Sequence, residues 1–203
     1  MHRISCIELS SQQKQWLLAL ARKSIIYGLK NQGLIKIKAE DIPAEFSPVF
    51  NKVASCFVTL YEIDHKGYEQ LRGCIGSLQA DQTLLQDVIE HAFAAAFSDS
   101  RFPPVNSKEL ERLVIQISIL GPAETINCDS EIELIQQLVP YEDGLILDDG
   151  FNRGTFLPSV WQQLPSKEQF VAHLKAKAGM NVKGWNEQTK AYRYKTISFA
   201  ESH

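Results

Sequence analysis

The stretch Leu71-Arg72-Gly73-Cys74-Ile75-Gly76-Ser77-Leu78 constrains this chain more than any other. Glycine inside an apolar extended run weakens a strand, so it marks a place where a bulge, a ligand or another backbone comes close. Side chains alternate along such a run, which sends Leu71, Gly73 and Ile75 to one face and Arg72, Cys74 and Gly76 to the other. The apolar set is expected to face a core, leaving Arg72 and Cys74 side by side on the opposite surface. A guanidinium beside a thiol favours thiolate, the reactive form of cysteine. The commoner outcome of this pattern is structural. Cysteine is among the most buried residue types, and glycine also relieves crowding against a packed helix.

The surrounding periodicity places the segment on the returning strand of a hairpin. Ser10 and Ser11 can cap a helix from about Gln12 to Lys30, with Leu17, Leu20, Ala21, Ile25 and Leu29 as its apolar stripe. After a loop with Pro43 and Pro48, Ala54 to Ile63 reads as a strand, Asp64-His65-Lys66-Gly67 as a turn, and Tyr68 to Leu78 as the partner strand. Thr83 and Gln86 have capping-box spacing for a helix from about Leu84 to Phe97, whose packing face is Leu85, Val88, Ile89, Ala92, Phe93 and Ala96. Val114 to Leu120 is a strand ended by Gly121-Pro122. Ser130 and Glu133 open a short helix that ends near Leu138. Gly144 to Leu147 and Phe151 to Leu157 bracket a second hairpin turn, Asp148-Asp149-Gly150. Ser166 and Gln169 start a helix that stops at Gly179, and Ala191 to Phe199 is a final alternating strand. Hairpins mixed with helices predict an α+β fold rather than a parallel βαβ series.

Several function classes fall away on composition. The 203 residues, 44% hydrophobic and 22% charged, suit one globular domain over 1–203, or two closely joined lobes. A net charge of -3 and a pI near 6.0 give no basic footprint for nucleic acid. No apolar run is long enough to span a bilayer, and the first residues lack a secretory pattern, so a cytoplasmic location is expected. Cys6, Cys56, Cys74 and Cys128 lie far apart with no C-x-x-C pair, which fits reduced thiols. There is no phosphate-binding glycine loop, no G-x-G-x-x-G and no H-E-x-x-H, so no cofactor and no metal are expected.

The five histidines do not cluster in sequence. His2 and His203 are terminal, His65 lies in a turn, and His173 looks solvent-facing. His91, at the edge of its helix's stripe, has reach to the preceding strand as a base for Cys74, although a histidine that merely bonds a carbonyl is more common. Asp99 and Arg101 follow that helix. They either pair with each other or line a groove with Arg72, offering guanidinium forks to a carboxylate or phosphate. Asn152 and Arg153 are candidates for a site rim. Lys177, at a helix C-terminus, complements the dipole.

Leu71 to Leu78 also resembles the signature of the AMMECR domain family, named in prokaryotes AmmeMemoRadiSam system protein A. Ordered matches continue through Asp99-Ser100-Arg101-Phe102-Pro103-Pro104-Val105, Lys108-Glu109-Leu110, Val114 to Leu120, Tyr141-Glu142-Asp143-Gly144-Leu145 and Arg153-Gly154-Thr155-Phe156-Leu157-Pro158. They end with Lys177-Ala178-Gly179-Met180, Trp185 and Phe199-Ala200-Glu201. The resemblance implies a barrel-like, mostly antiparallel sheet flanked by helices. It also implies a role beside a Memo-type protein and a radical SAM enzyme, presenting or recognising a group to be modified. The residues themselves leave two classes open. One is a cysteine-dependent enzyme with Cys74 as nucleophile, Arg72 tuning it and His91 as base. The other is a binding module whose surface at Arg72, Gly73, Gly76, Asp99 and Arg101 docks a protein or an anionic small molecule.

Overall fold

The computed structural model describes residues 7–202, so Cys6, His2 and His203 lie outside the described residues. Helix α1 (Ser11–Asn31) begins at Ser10, whose hydroxyl accepts from the Gln13 N–H while the Gln13 side chain accepts from the Ser10 N–H. Two orphan donors of the first turn are thus satisfied reciprocally. A one-turn helix α2 (Ser47–Phe50) leads to the hairpin of β1 (Cys56–Ile63) and β2 (Glu69–Gly76), then to helix α3 (Leu84–Phe97). Next come β3 (Leu113–Leu120), β4 (Glu124–Ile126), α4 (Glu131–Gln137) and the hairpin of β5 (Gly144–Asp148) and β6 (Arg153–Phe156). Helix α5 (Lys167–Ala178), β7 (Lys190–Tyr194) and β8 (Thr196–Ala200) complete the chain. The expected caps are in place, with Thr83, Ser130 and Ser166 accepting from the N–H groups of Gln86, Glu133 and Gln169. Gly179 ends α5 at φ 77°, a left-handed conformation that glycine adopts freely. Among the described residues no helix is long and apolar enough to cross a membrane.

The strands form two four-stranded sheets, ordered β2-β1-β3-β8 and β4-β7-β5-β6, with antiparallel registers. The α+β class read from the sequence is therefore observed, and the barrel-like sheet is corrected to two open sheets. The cause lies in the last expected strand, 191–199. It breaks at Lys195, whose carbonyl accepts from the Gly121 N–H at 2.8 Å, so β7 joins one sheet and β8 the other.

Residues 7–120 with 197–202 make one compact unit, and residues 121–196 make another. In the first, alternate residues of β1 (Cys56, Val58, Leu60) and of β3 (Ile115, Ile117, Ile119) are buried in one cluster with Leu17, Ala21 and Ile25 of α1 and Leu84, Val88, Ile89 and Ala92 of α3. Period two on the strands and period 3.6 on the helices meet in that layer. In the second unit the Trp161 and Phe170 rings stack 3.7 Å apart within a cluster of Leu145, Leu147, Val171 and Leu174. The buried indole N–H is satisfied by the Asp143 carbonyl at 2.7 Å.

Candidate functional site

Strand β2, which carries the glycine-rich segment, is an edge of its sheet. Its register against β1 runs Val58↔Ile75, Thr59↔Cys74 and Leu60↔Gly73, and then shifts to Tyr61↔Leu71. Arg72 is therefore the extra residue of a β-bulge, a device that re-aims side chains. Below the bulge the expected alternation holds. Gly73 and Ile75 lie opposite the buried Leu60 and Val58, and Ile75 packs partly buried on the core. A Cβ at Gly73 would sit 2.2 Å from the Ala95 carbonyl oxygen, so the backbone of α3 lies directly against this strand. Above the bulge the pattern inverts, leaving Leu71 42% exposed and Arg72 only 7% exposed. The expectation that Arg72 and Cys74 share an open surface is thus overturned by one inserted residue.

Arg72 turns instead to the loop after α3. Its Nε and Nη2 donate to Glu109 at 2.7 and 3.3 Å, and Nη2 also donates to the Pro103 carbonyl at 2.8 Å. Glu109 further accepts from the Asn106 N–H and side-chain amide at 2.8 and 2.7 Å. Burial on its own would raise the Glu109 carboxyl, but the bonds from Arg72 and Asn106 outweigh it and hold the pKa below its ordinary value. Arg72 Nη1 is buried without a hydrogen-bond partner.

The cation beside Cys74 is Arg101. Asp99, buried at the end of α3, accepts from the Cys74 N–H at 2.9 Å and from the Arg101 Nε and Nη2 at 2.9 and 2.6 Å. Arg101 Nη2 donates in turn to the Cys74 carbonyl at 3.2 Å. Carboxylate and guanidinium together bond both backbone groups that Cys74 turns away from β1, as a neighbouring strand would, and so close the sheet edge at that residue. The Arg101 bond, followed by those from the Cys74 and Arg101 N–H groups, outweighs burial and holds the Asp99 carboxyl at about 2. Phe102 lies beneath both cations, its ring centroid 5.9 Å from the Arg72 guanidinium carbon and 5.4 Å from that of Arg101. Pairing of Asp99 with Arg101 was one of the two sequence readings, and it is the one observed.

The Cys74 thiol is half-buried and accepts a hydrogen bond from the Thr59 hydroxyl at 3.3 Å. Burial, followed by the charges of Cys74 and Glu69, raises the nearby Tyr61 phenol. His91, the expected base, is grouped by the structure with other residues. Its Nδ1 lies 3.1 Å from the Asp87 carboxylate, which also accepts from the Cys56 N–H at 2.7 Å. The reason is helical pitch. The turn of α3 that touches β2 at Gly73 carries Ala95, one turn beyond His91.

Asn152 and Arg153 belong to the 121–196 unit and serve its hairpin. Asp149 accepts from the Asn152 N–H at 2.6 Å, and Arg153 lies 4.0 Å from Asp148. A cavity of about 160 Å³ in that unit is lined by Leu147, Asp149, Lys175, Met180 and Trp185. Its ammonium is saturated, since Lys175 Nζ donates to Glu131 and to the Val182 and Gly184 carbonyls. The sequence reading assigned no role to Glu109, Thr59, Asp87 or Cys56. Glu109 stood within a motif, but nothing local marks a partner 37 residues away.

Comparison with known proteins agrees along nearly the whole chain. A family model described as AMMECR1 matches residues 18–199. Protein MJ0810 of Methanocaldococcus jannaschii is 38% identical over 168 residues, which is 82% of this chain and 80% of that protein. A protein of Methanosarcina acetivorans is 37% identical over 165 residues, 79% of this chain and 78% of the relative. Among solved structures, the uncharacterized protein PH0010 from Pyrococcus horikoshii superposes with a TM-score of 0.86 at 30% identity, covering 96% of this chain and 94% of that one.

Proposed function

Because the chain belongs to the AMMECR1 family, we propose that it is a recognition component of a three-protein system with a Memo-type protein and a radical SAM enzyme, presenting or recognising the group that is modified. It works in the cytoplasm, where its thiols stay reduced. The observation that carries this reading is the division of labour around Cys74. Arg72 is committed to Glu109, and Asp99 to the strand edge. His91 is engaged with Asp87. Arg101 is fixed by Asp99 yet its side chain remains 53% exposed, leaving a rigid cationic edge beside the thiol. Such an edge suits a carboxylate or phosphate on a partner or on an anionic small molecule. The test uses the full chain, immobilised, with purified Memo-type and radical SAM proteins of the same host. Both should be retained, and Arg101→Gln, which keeps an N–H donor for Asp99, should release them without unfolding. Retention of neither protein, or retention indifferent to Arg101→Gln, would overturn the reading.

One observation favours a second reading, that of a cysteine-dependent enzyme. The Thr59 hydroxyl donates to Cys74 Sγ, and the Arg101 guanidinium, bonded to the Cys74 carbonyl, supplies the kind of neighbouring cation that reactive cysteines use. Under that reading Cys74→Ser abolishes turnover while partner retention survives. Under the first reading Cys74→Ser matters only if the thiol itself is the group recognised.

A further inference from the structure

Cys56, Asp87 and His91 are brought together from two elements beneath the first sheet, a convergence that chain spacing hides because Asp87 is 31 residues from Cys56. The thiol sulfur, a carboxylate oxygen and an imidazole nitrogen all lie within 4.8 Å of one another. Cys56 is 0% exposed, and the side chains of His91 and Asp87 are 14% and 2% exposed. Three chemically different donors therefore converge on one place, where the Asp87 carboxylate already ties His91 Nδ1 to the Cys56 backbone N–H and thiol. The His91 Nδ1 to Asp87 Oδ2 separation of 3.1 Å is what two metal bonds of about 2.0–2.1 Å subtend at roughly 100°. An outer layer is already built. Asp87 Oδ1 accepts from Gln82 at 3.1 Å, Gln82 donates also to Glu90 at 3.0 Å, and Glu90 accepts from Gln86 at 2.9 Å. Partners of this kind orient ligating carboxylates in metal sites.

We propose that Cys56 Sγ, the Asp87 carboxylate and His91 Nδ1 form a site for a zinc-class divalent cation, independent of the Cys74 surface. The donor set selects the metal. Thiolate and imidazole disfavour calcium and magnesium, which take oxygen ligands, whereas mixed sulfur, nitrogen and oxygen donors suit zinc. Charge agrees as well, because a thiolate and a carboxylate, with a neutral imidazole, balance the two charges of a dication in the buried site. Without metal, burial and the adjacent Asp87 push the Cys56 thiol well up, so it keeps its proton. Binding forms the metal–sulfur bond and releases that proton to solvent. His91 binds through its Nδ1 lone pair, so any proton on that nitrogen leaves with the metal's arrival.

Cobalt(II) is the probe, added to the full chain under reducing conditions, since it reports thiolate ligation and tetrahedral geometry by absorption. The wild-type chain should bind one equivalent with a sulfur-to-metal band, and zinc should displace it. Cys56→Ser should lose the band. Because Cys56 is wholly buried and that variant risks misfolding, His91→Gln, at a partly exposed position, is the decisive one. It should bind cobalt at least about tenfold more weakly. Cys6→Ser, Cys74→Ser and Cys128→Ser should each retain the band, which excludes the other thiols. A folded wild-type chain that gives no thiolate band, or a band of unchanged affinity in His91→Gln, would overturn the site and leave Asp87 as the polar tie between helix and strand.

Discussion

Asp99→Asn tests directly whether a carboxylate closes the edge of β2. Asp99 is held at about 2 in the folded chain, against about 3.9 in an unfolded one. At about 1.4 kcal/mol per pKa unit, ionised Asp99 contributes at most about 2.6 kcal/mol near neutrality. The Asp99 side chain is only 4% exposed, but its partner Arg101 is 53% exposed and screened by salt. A realistic figure is therefore about 1–2 kcal/mol. The folded pKa is depressed, so this stability is present above the unfolded value and is lost as pH falls toward the folded one. About half should be gone by roughly pH 3. Urea unfolding of wild type and Asp99→Asn at pH 7, 5, 4 and 3 supplies the assay, and the difference between the curves isolates Asp99 from other titrating groups. The variant should be less stable at pH 7, and the gap should narrow as the pH is lowered. High salt should shrink it at pH 7. Parallel curves would mean that the folded state does not favour the carboxylate, and the fork would lose its place as the edge cap.

Three more outcomes follow from the same geometry. Gly73→Ala places a Cβ 2.2 Å from the Ala95 carbonyl oxygen, and since backbone is hard to displace, thermal unfolding should show a loss of about 3 kcal/mol. Arg72→Ala strands Glu109, whose side chain is 13% exposed, and should cost about 3–5 kcal/mol by urea unfolding. Arg72→Met combined with Glu109→Leu should recover much of that loss, because an apolar pair carries no desolvation cost. With iodoacetamide at neutral pH and no added metal, half-buried Cys74 should label in the native state while Cys56, fully buried with its pKa raised, labels only on unfolding; equal rates would contradict the burial that both readings of β2 rest on.

Local signals carried much of the fold. Caps at Thr83, Ser130 and Ser166, the stripe on α3 and the left-handed stop at Gly179 depend on residues within a few positions of each other, and all appear where the sequence puts them. What escaped depends on distant partners. The bulge at Arg72 arises because Gly73 must meet Ala95 while Leu71 pairs with Tyr61, and nothing in residues 71–78 encodes the strand opposite. The break at Lys195 is likewise invisible in an alternating run, because its cause is a hydrogen bond from Gly121. For the candidate site, the members were legible but their roles were exchanged. Arg72 and Arg101 were both named, and a shift of one residue decided which of them lies by the thiol.

That exchange changes what the segment is for. An exposed strand edge offers unpaired N–H and C=O groups to any passing chain, and proteins blunt such edges with bulges and charges. Strand β2 has both devices. The bulge turns Arg72 inward, and the Asp99–Arg101 fork occupies the Cys74 N–H and carbonyl. Gly73 admits the helix that delivers the fork, since α3 ends one residue before Ser98 and two before Asp99. Most of the segment's unusual composition is therefore explained by fixing one residue's backbone at an edge without leaving that edge open to pairing. A strand protected in this way for solubility alone needs no half-buried thiol at the point of closest control. Cys74 is held through its N–H, its carbonyl and its sulfur, with the exposed arm of Arg101 beside it. Positional precision of that degree at a half-buried side chain is what the proposed recognition role requires, and under that proposal the contact point to test is Cys74 with Arg101 rather than Arg72.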